Sequence, residues 1–93
     1  MSAPLRYRQR PGLDTRIVDG EAFVITRSTI QHLSAVATAI WLCIETPSTH
    51  RKILAMLMDL YPTVPPPQLG RDLKQALKSL RATGIATVHE TAS

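Results

Sequence analysis

The stretch TIQHLSAVATAIWLCI, residues 29–44, decides the fold, because it predicts a short strand that runs directly into a helix. Residues 29–33 combine β-branched side chains with alternating polar ones, a pattern typical of a strand. Ser34 can then cap a helix, since its hydroxyl can accept a hydrogen bond from a free N–H group of the first turn. The only tryptophan of the chain, Trp41, lies on the apolar face of this helix and would anchor a core.

Two further strands are predicted upstream, at residues 15–18 and 21–26. Asp19 and Gly20 lie between them, and an Asp-Gly pair between two β-prone segments is a strong hairpin signal. A second tight connection leads to the strand of residues 29–33. The sequence therefore predicts a three-stranded antiparallel meander whose third strand lies at a sheet edge.

Three helices are predicted downstream of the meander. The first spans residues 34–45, Thr49 caps the second, and the third begins at Pro66 or Pro67 and ends near Thr83. A short extended segment follows the third helix. The predicted fold class is α+β and winged-helix-like, with a three-stranded antiparallel β-meander followed by three helices.

The chain is short and basic. Its 93 residues favour one domain, and we assign residues 1–11 to a basic flexible arm, residues 12–88 to the folded domain and residues 89–93 to a tail. The formal net charge is +4 and the pI is about 9.8, which favours an anionic partner. Charge alone does not distinguish nucleic acid, an acidic lipid surface and an acidic peptide.

The sequence contains no pattern typical of an enzyme or a metal protein. The single cysteine, Cys43, excludes an intrachain disulfide and a thiolate metal cage. A glycine-rich phosphate loop and a nucleophile elbow are both absent from the sequence. We therefore predict a binding module without catalytic residues, cofactor or metal. An apolar signal core and a membrane-length apolar run are also missing, so we expect no membrane contact and a cytoplasmic location.

A set of spaced residues accompanies this order of elements. From the third strand through the second helix they are Leu33-Ser34, Ala37, Ile40-Trp41, Thr49, Ile53 and Leu57. In the third helix and beyond they are Asp72-Leu73, Ala76-Leu77, Leu80 and Gly84-Ile85. Together they resemble the pattern of the PqqD family, small peptide chaperones also called RiPP recognition elements, over residues 10–88. Two positions depart from that pattern: Ser34 replaces an asparagine, and Ala76 replaces an aromatic residue.

The resemblance implies that the protein captures the leader segment of a ribosomally synthesised precursor peptide. It would present that peptide to a maturation enzyme, such as a radical SAM enzyme or a lasso-peptide protease, without being an enzyme itself. The predicted edge strand at residues 29–33 fits this role, because its unpaired N–H and C=O groups can be satisfied by an extended peptide that adds a strand.

The third helix is the expected second wall of the peptide site. Its basic residues Arg71, Lys74, Lys78 and Arg81 are spaced by three, four and three, so they share one helical stripe. We expect this stripe to face an acidic leader. The predicted peptide-binding residues are Ser28, Thr29, Ile30, Gln31, His32, Leu33, Arg71, Asp72, Lys74, Gln75, Ala76 and Lys78.

Two other functions fit the predicted elements. A winged-helix DNA-binding protein has three helices and a small sheet, and here the third helix would enter a groove of the duplex. Two features argue against nucleic acid as a partner: the sheet precedes all three helices, and the hairpin tip at residues 19–21 is acidic. A structural protein that dimerises through the same edge strand is the third possibility.

Overall fold

The computed structural model describes residues 4–90. The three predicted helices are present, and the strands form two small sheets rather than one. Along the chain the elements are β1 (Leu5–Gln9), β2 (Asp14–Val18), β3 (Glu21–Ile25), β4 (Ile30–His32), α1 (Ala35–Cys43), β5 (Ser48–Thr49), α2 (His50–Leu60), α3 (Pro66–Ala82) and β6 (Ala86–Glu90).

The predicted meander is confirmed as the sheet β2-β3-β4, in which both pairs are antiparallel. Asp19 and Gly20 form the tight turn between β2 and β3 with φ angles of 52° and 78°. Positive φ at both positions is what a type I′ hairpin turn requires, and it explains the Asp-Gly pair. Strand β4 pairs with β3 alone among the described residues, so the predicted edge position is also confirmed.

The second sheet, β5-β1-β6, corrects the prediction of a flexible arm. Residues 5–9 form β1, which is antiparallel to β6 from the pair Leu5↔Glu90 to the pair Gln9↔Ala86. Strand β6 likewise includes residues 89 and 90, which we had assigned to a tail. The arginines of β1 suggested a solvated segment. The pairing of β1 with β6 could not be inferred from a local pattern, because β6 lies about 80 residues further along the chain. Residues 1–3 and 91–93 lie outside the described part.

The helices begin as the sequence predicts. Ser34 Oγ accepts a hydrogen bond from Ala37 N–H at 3.2 Å, and Thr49 Oγ1 accepts one from Lys52 N–H at 3.2 Å. The third helix starts at Pro66, whose missing N–H would have had no partner inside the helix. The Ser34 and Thr49 side chains satisfy N–H donors that the start of a helix otherwise leaves free. Each of these two caps contributes about 1 kcal/mol to stability.

The core lies where the meander and the three helices meet. Trp41 is fully buried, and its indole Nε1–H donates a hydrogen bond to Thr15 Oγ1 at 2.9 Å. Thr38 of α1 accepts a hydrogen bond from Ala22 N–H of β3 at 2.8 Å. These two bonds fix the register of α1 against the sheet. The third helix adds an inward row of leucines, namely Leu69, Leu73, Leu77 and Leu80. None of the helices in residues 4–90 is long and apolar enough to cross a lipid bilayer.

Candidate functional site

A groove of about 480 Å³ lies between the edge strand β4 and helix α3. One wall is formed by β4 and the residues that lead into α1, the other by one face of α3. The lining residues are Gln31, His32, Leu33, Ser34, Val36, Ala37, Asp72, Gln75, Ala76, Ser79 and Leu80. The groove therefore combines an open strand, an apolar floor and a polar helical wall.

The outer edge of β4 carries backbone groups that no strand within residues 4–90 pairs with. Leu33 N–H donates to Ala22 C=O at 2.8 Å, and Thr26 N–H donates to Thr29 C=O at 2.9 Å, which fixes the phase of the β3–β4 ladder. Successive residues of an antiparallel strand direct their N–H and C=O groups to opposite sides. Residue Gln31 therefore bonds toward β3, whereas Ile30 and His32 direct their N–H and C=O groups to the open side.

The His32 side chain is held by contacts with β3. Its imidazole lies against the Phe23 ring, with centroids 4.8 Å apart and an interplanar angle of 32°. His32 Nε2 also forms a hydrogen bond with Glu21 Oε1. Both side chains remain about half exposed, at 53% and 43%. These contacts orient the last residue of β4 at the mouth of the groove.

The helical wall of the groove consists of small and polar side chains. Asp72, Gln75, Ala76 and Ser79 are spaced by three, one and three residues, so they share one face of α3. Below them the buried side chains of Leu33 and Leu80 supply an apolar floor. Because Ala76 is small, the middle of this wall leaves room for a large side chain of a bound molecule.

The structure divides the twelve predicted site residues into three groups. Six of them line the groove: Gln31, His32, Leu33, Asp72, Gln75 and Ala76. Lys74 and Lys78 line a separate cleft instead. The remaining four residues line neither cavity. Ser28 and Thr29 form the turn before β4, where both N–H groups donate to Thr26 Oγ1, and Ile30 is an exposed β4 residue. Arg71 is exposed and lines neither cavity.

The expectation that the basic stripe faces the groove is wrong. Lys74, Lys78 and Arg81 all line the separate cleft, while Asp72 and Ala76 line the groove. Two positions along an α-helix correspond to a rotation of about 200°, so these two sets point to nearly opposite sides. The spacing grouped the cations correctly but did not indicate which face of α3 meets the groove.

Five residues of the groove were not predicted from the sequence: Ser34, Val36, Ala37, Ser79 and Leu80. Ser79 was accessible to sequence reasoning, because it lies three residues after Ala76 and four after Gln75. Val36 and Ala37 were interpreted as core-facing residues of α1, and they are half-buried at the border of the core. In residues 4–90 no group of three His, Cys, Asp or Glu side chains is placed to hold a metal ion.

Comparison with known proteins finds a matching family and a solved structure with the same fold. The family model described as coenzyme PQQ synthesis protein D (PqqD) matches residues 18–86, well over half of the chain. The solved structure of TbiB1 in complex with the TbiA(beta) leader peptide has a TM-score of 0.74 and 22% sequence identity. That match covers 92% of this chain and 99% of the other, and it shows a shared fold. No curated protein matches the chain.

Proposed function

Because this chain belongs to the PqqD family, we propose that it captures the leader segment of a ribosomally synthesised precursor peptide. The leader adds a strand to β4 and is presented in this form to a modifying enzyme. A radical SAM enzyme and a lasso-peptide protease are the candidate enzymes. The protein itself acts as a carrier and performs no bond chemistry. The solved complex of TbiB1 with a leader peptide, which has the same fold, supports this role.

The observation that carries the proposal is the open edge of β4 beside the groove. An added strand would lie about 4.8 Å from β4, over the groove floor. The outward backbone groups of Ile30 and His32 would pair with it. Each main-chain hydrogen bond contributes roughly 0.5–1.5 kcal/mol net, and the groove pocket adds specificity through side chains.

The groove also constrains which peptide residues it receives. Its floor at Leu33 and Leu80 is apolar, and Ala76 leaves room above it. The lining includes the carboxylate of Asp72 and no lysine or arginine. We therefore expect the bound part of the leader to place a bulky apolar side chain opposite Ala76 and a basic or neutral one near Asp72. The earlier expectation of an acidic leader depended on the basic stripe, which does not line the groove.

Proline substitution at two opposite sheet edges tests the added strand. Proline in place of Ile30 removes an outward donor but no β3–β4 hydrogen bond, so the fold should be retained. By the same alternation, Ile17 is an outward-directed residue of β2, at the other edge of this sheet. The variant Ile17→Pro is therefore a matched control, because it removes an outward-directed donor and the same side chain from an exposed edge residue.

The measurement is fluorescence anisotropy with the N-terminal halves of short peptides encoded beside the gene. We expect Ile30→Pro to weaken binding at least about tenfold, the effect of roughly 1.4 kcal/mol, while Ile17→Pro binds as the wild type does. Wild-type affinity in folded Ile30→Pro would contradict strand addition. Sedimentation of the protein alone and with added peptide tests whether it dimerises through the same edge. A dimer held together by β4 would dissociate when the peptide binds there.

The DNA-binding alternative is less consistent with the site. The groove face of α3 carries Asp72, and a carboxylate there repels phosphates. Family membership favours peptide binding as well. A salt titration with random duplex checks this, because phosphate contacts would produce a steep loss of affinity as salt increases.

A further inference from the structure

A second cleft of about 520 Å³ lies on the side of α3 that faces away from the groove. We call it the basic cleft, and it is formed by Tyr7 of β1, His50 at the start of α2, and Lys74, Leu77, Lys78 and Arg81 of α3. The residues that line it do not overlap with those that line the leader groove. Its walls come from three elements, so it is a built concavity and not a row of side chains on one helix.

The charge of the basic cleft is of one sign. Lys74, Lys78 and Arg81 are exposed cations, and among the described residues no aspartate or glutamate lines the cleft. Within residues 4–90 the structure contains one ion pair, between His32 and Glu21, so no carboxylate in this part is ion-paired with the three cations. Like charges spaced by three and four residues on a helix repel each other, which disfavours such an arrangement in the absence of a partner.

The floor of the basic cleft is apolar. Leu77 is only 3% exposed, and Tyr7 is half-buried against the core. A ligand that fits this surface needs negative charges at its rim and an apolar group at its centre. Carboxylate side chains that alternate with apolar ones meet both requirements.

We propose that the basic cleft docks an acidic segment of a second protein. Carboxylates of that segment pair with Lys74, Lys78 and Arg81, and an apolar side chain packs on Leu77. A duplex is a poorer fit, because its phosphates could pair with the cations but would leave the apolar floor at Leu77 without an apolar partner. Since the groove and the cleft lie on opposite faces of α3, both can be occupied at once.

The test uses a fluorescein-labelled peptide of alternating glutamate and leucine pairs, measured at about 50 mM salt to limit screening. The cleft variant is Lys74→Glu with Lys78→Glu. The control variant is Arg16→Glu with Arg27→Glu, which makes the same change in net charge at exposed residues outside both cavities. Circular dichroism checks that both variants are folded. If the cleft variant is not, the milder variant Lys74→Gln with Lys78→Gln replaces it.

We expect the cleft variant to weaken binding by about tenfold or more and the control by less than about threefold, because close charge pairs contribute more than net charge does. The groove variant Ile30→Pro should bind this peptide as the wild type does. Equal losses in the cleft and control variants would overturn the proposal, because they indicate attraction by net charge. It would also be overturned if the wild type failed to bind, or if a random duplex bound more tightly through the same lysines.

Discussion

The imidazole of His32 is hydrogen-bonded to the carboxylate of Glu21 across the β3–β4 pair, although the two residues are not directly opposite in the strand register. His32 is opposite Phe23 and lies against its ring, so the three side chains form one cluster on the outer face of the meander. This cluster orients the last residue of the edge strand, which has its outward backbone groups beside the groove.

Removing this contact should affect binding more than folding. The variant Glu21→Ala removes the carboxylate and its hydrogen bond to His32, and because both partners are about half exposed we expect at most about 1 kcal/mol of lost stability. Peptide affinity should decrease roughly threefold to tenfold, since the His32 orientation is no longer fixed. Urea denaturation and anisotropy measure the two effects separately. A stability loss well above 1 kcal/mol without any change in affinity would contradict a role at the groove.

Filling the groove should block it. Phenylalanine in place of Ala76 projects a ring into the middle of the helical wall, where the native methyl group leaves space. We expect folding stability within about 1 kcal/mol of the wild type, because the side chain has room, and at least about tenfold weaker peptide binding. The control is Arg71→Phe, an aromatic substitution on an exposed residue outside both cavities. Isothermal titration of both variants with one peptide makes the comparison, and equal affinities would contradict the proposed position of the peptide.

The hydrogen bond from Ala22 N–H to Thr38 Oγ1 should be important for stability. Valine at position 38 keeps the shape of the side chain and leaves the buried Ala22 N–H without an acceptor. We expect a loss of about 1–3 kcal/mol, the usual cost of a buried donor without a partner. Thr83→Val serves as a control, because Thr83 is exposed and bonds only to carbonyls of its own helix. Similar urea midpoints for the two variants would show that the α1–β3 bond contributes little.

Strand β1 should contribute to the stability of the folded domain. Tyr7 packs against the core from the centre of β1, opposite Val88 and Ser48. The variant Tyr7→Ala should lower the free energy of unfolding by about 2–4 kcal/mol, whereas Arg8→Ala, an exposed neighbour, should change it by less than about 0.5 kcal/mol. Thermal denaturation by circular dichroism measures both. If the two variants unfolded at the same temperature, β1 would behave as the loose arm that its composition suggested.

The elements that the sequence predicted well are those with local signals. The Asp19-Gly20 turn, the caps Ser34 and Thr49, and the proline start of α3 each depend on residues within one turn of each other. Strand β1 was missed because its hydrogen bonds go to β6, which lies at the other end of the described chain. No periodicity within LRYRQ encodes that distant pairing.

The candidate site was predictable to the level of its two walls. The edge position of β4 follows from the element order, whereas the third helix was chosen for its basic stripe, and a groove does lie between these two elements. The orientation of α3 about its own axis was not predictable in the same way. Leucines mark the buried face, but the two flanks beside it, one with Asp72 and one with Lys74, are equivalent in a sequence pattern. Packing of α3 against α2, β6 and α1 decides which flank meets β4.

The pairing of Leu5 with Glu90 has a consequence for biosynthesis. During translation β1 leaves the ribosome before any other described element, and β6 leaves it last. The meander and α1 can therefore form early, since their contacts are local, whereas β1 has to wait for nearly the entire chain. Loops of this length close slowly, so completion of the β5-β1-β6 sheet should be the late step of folding.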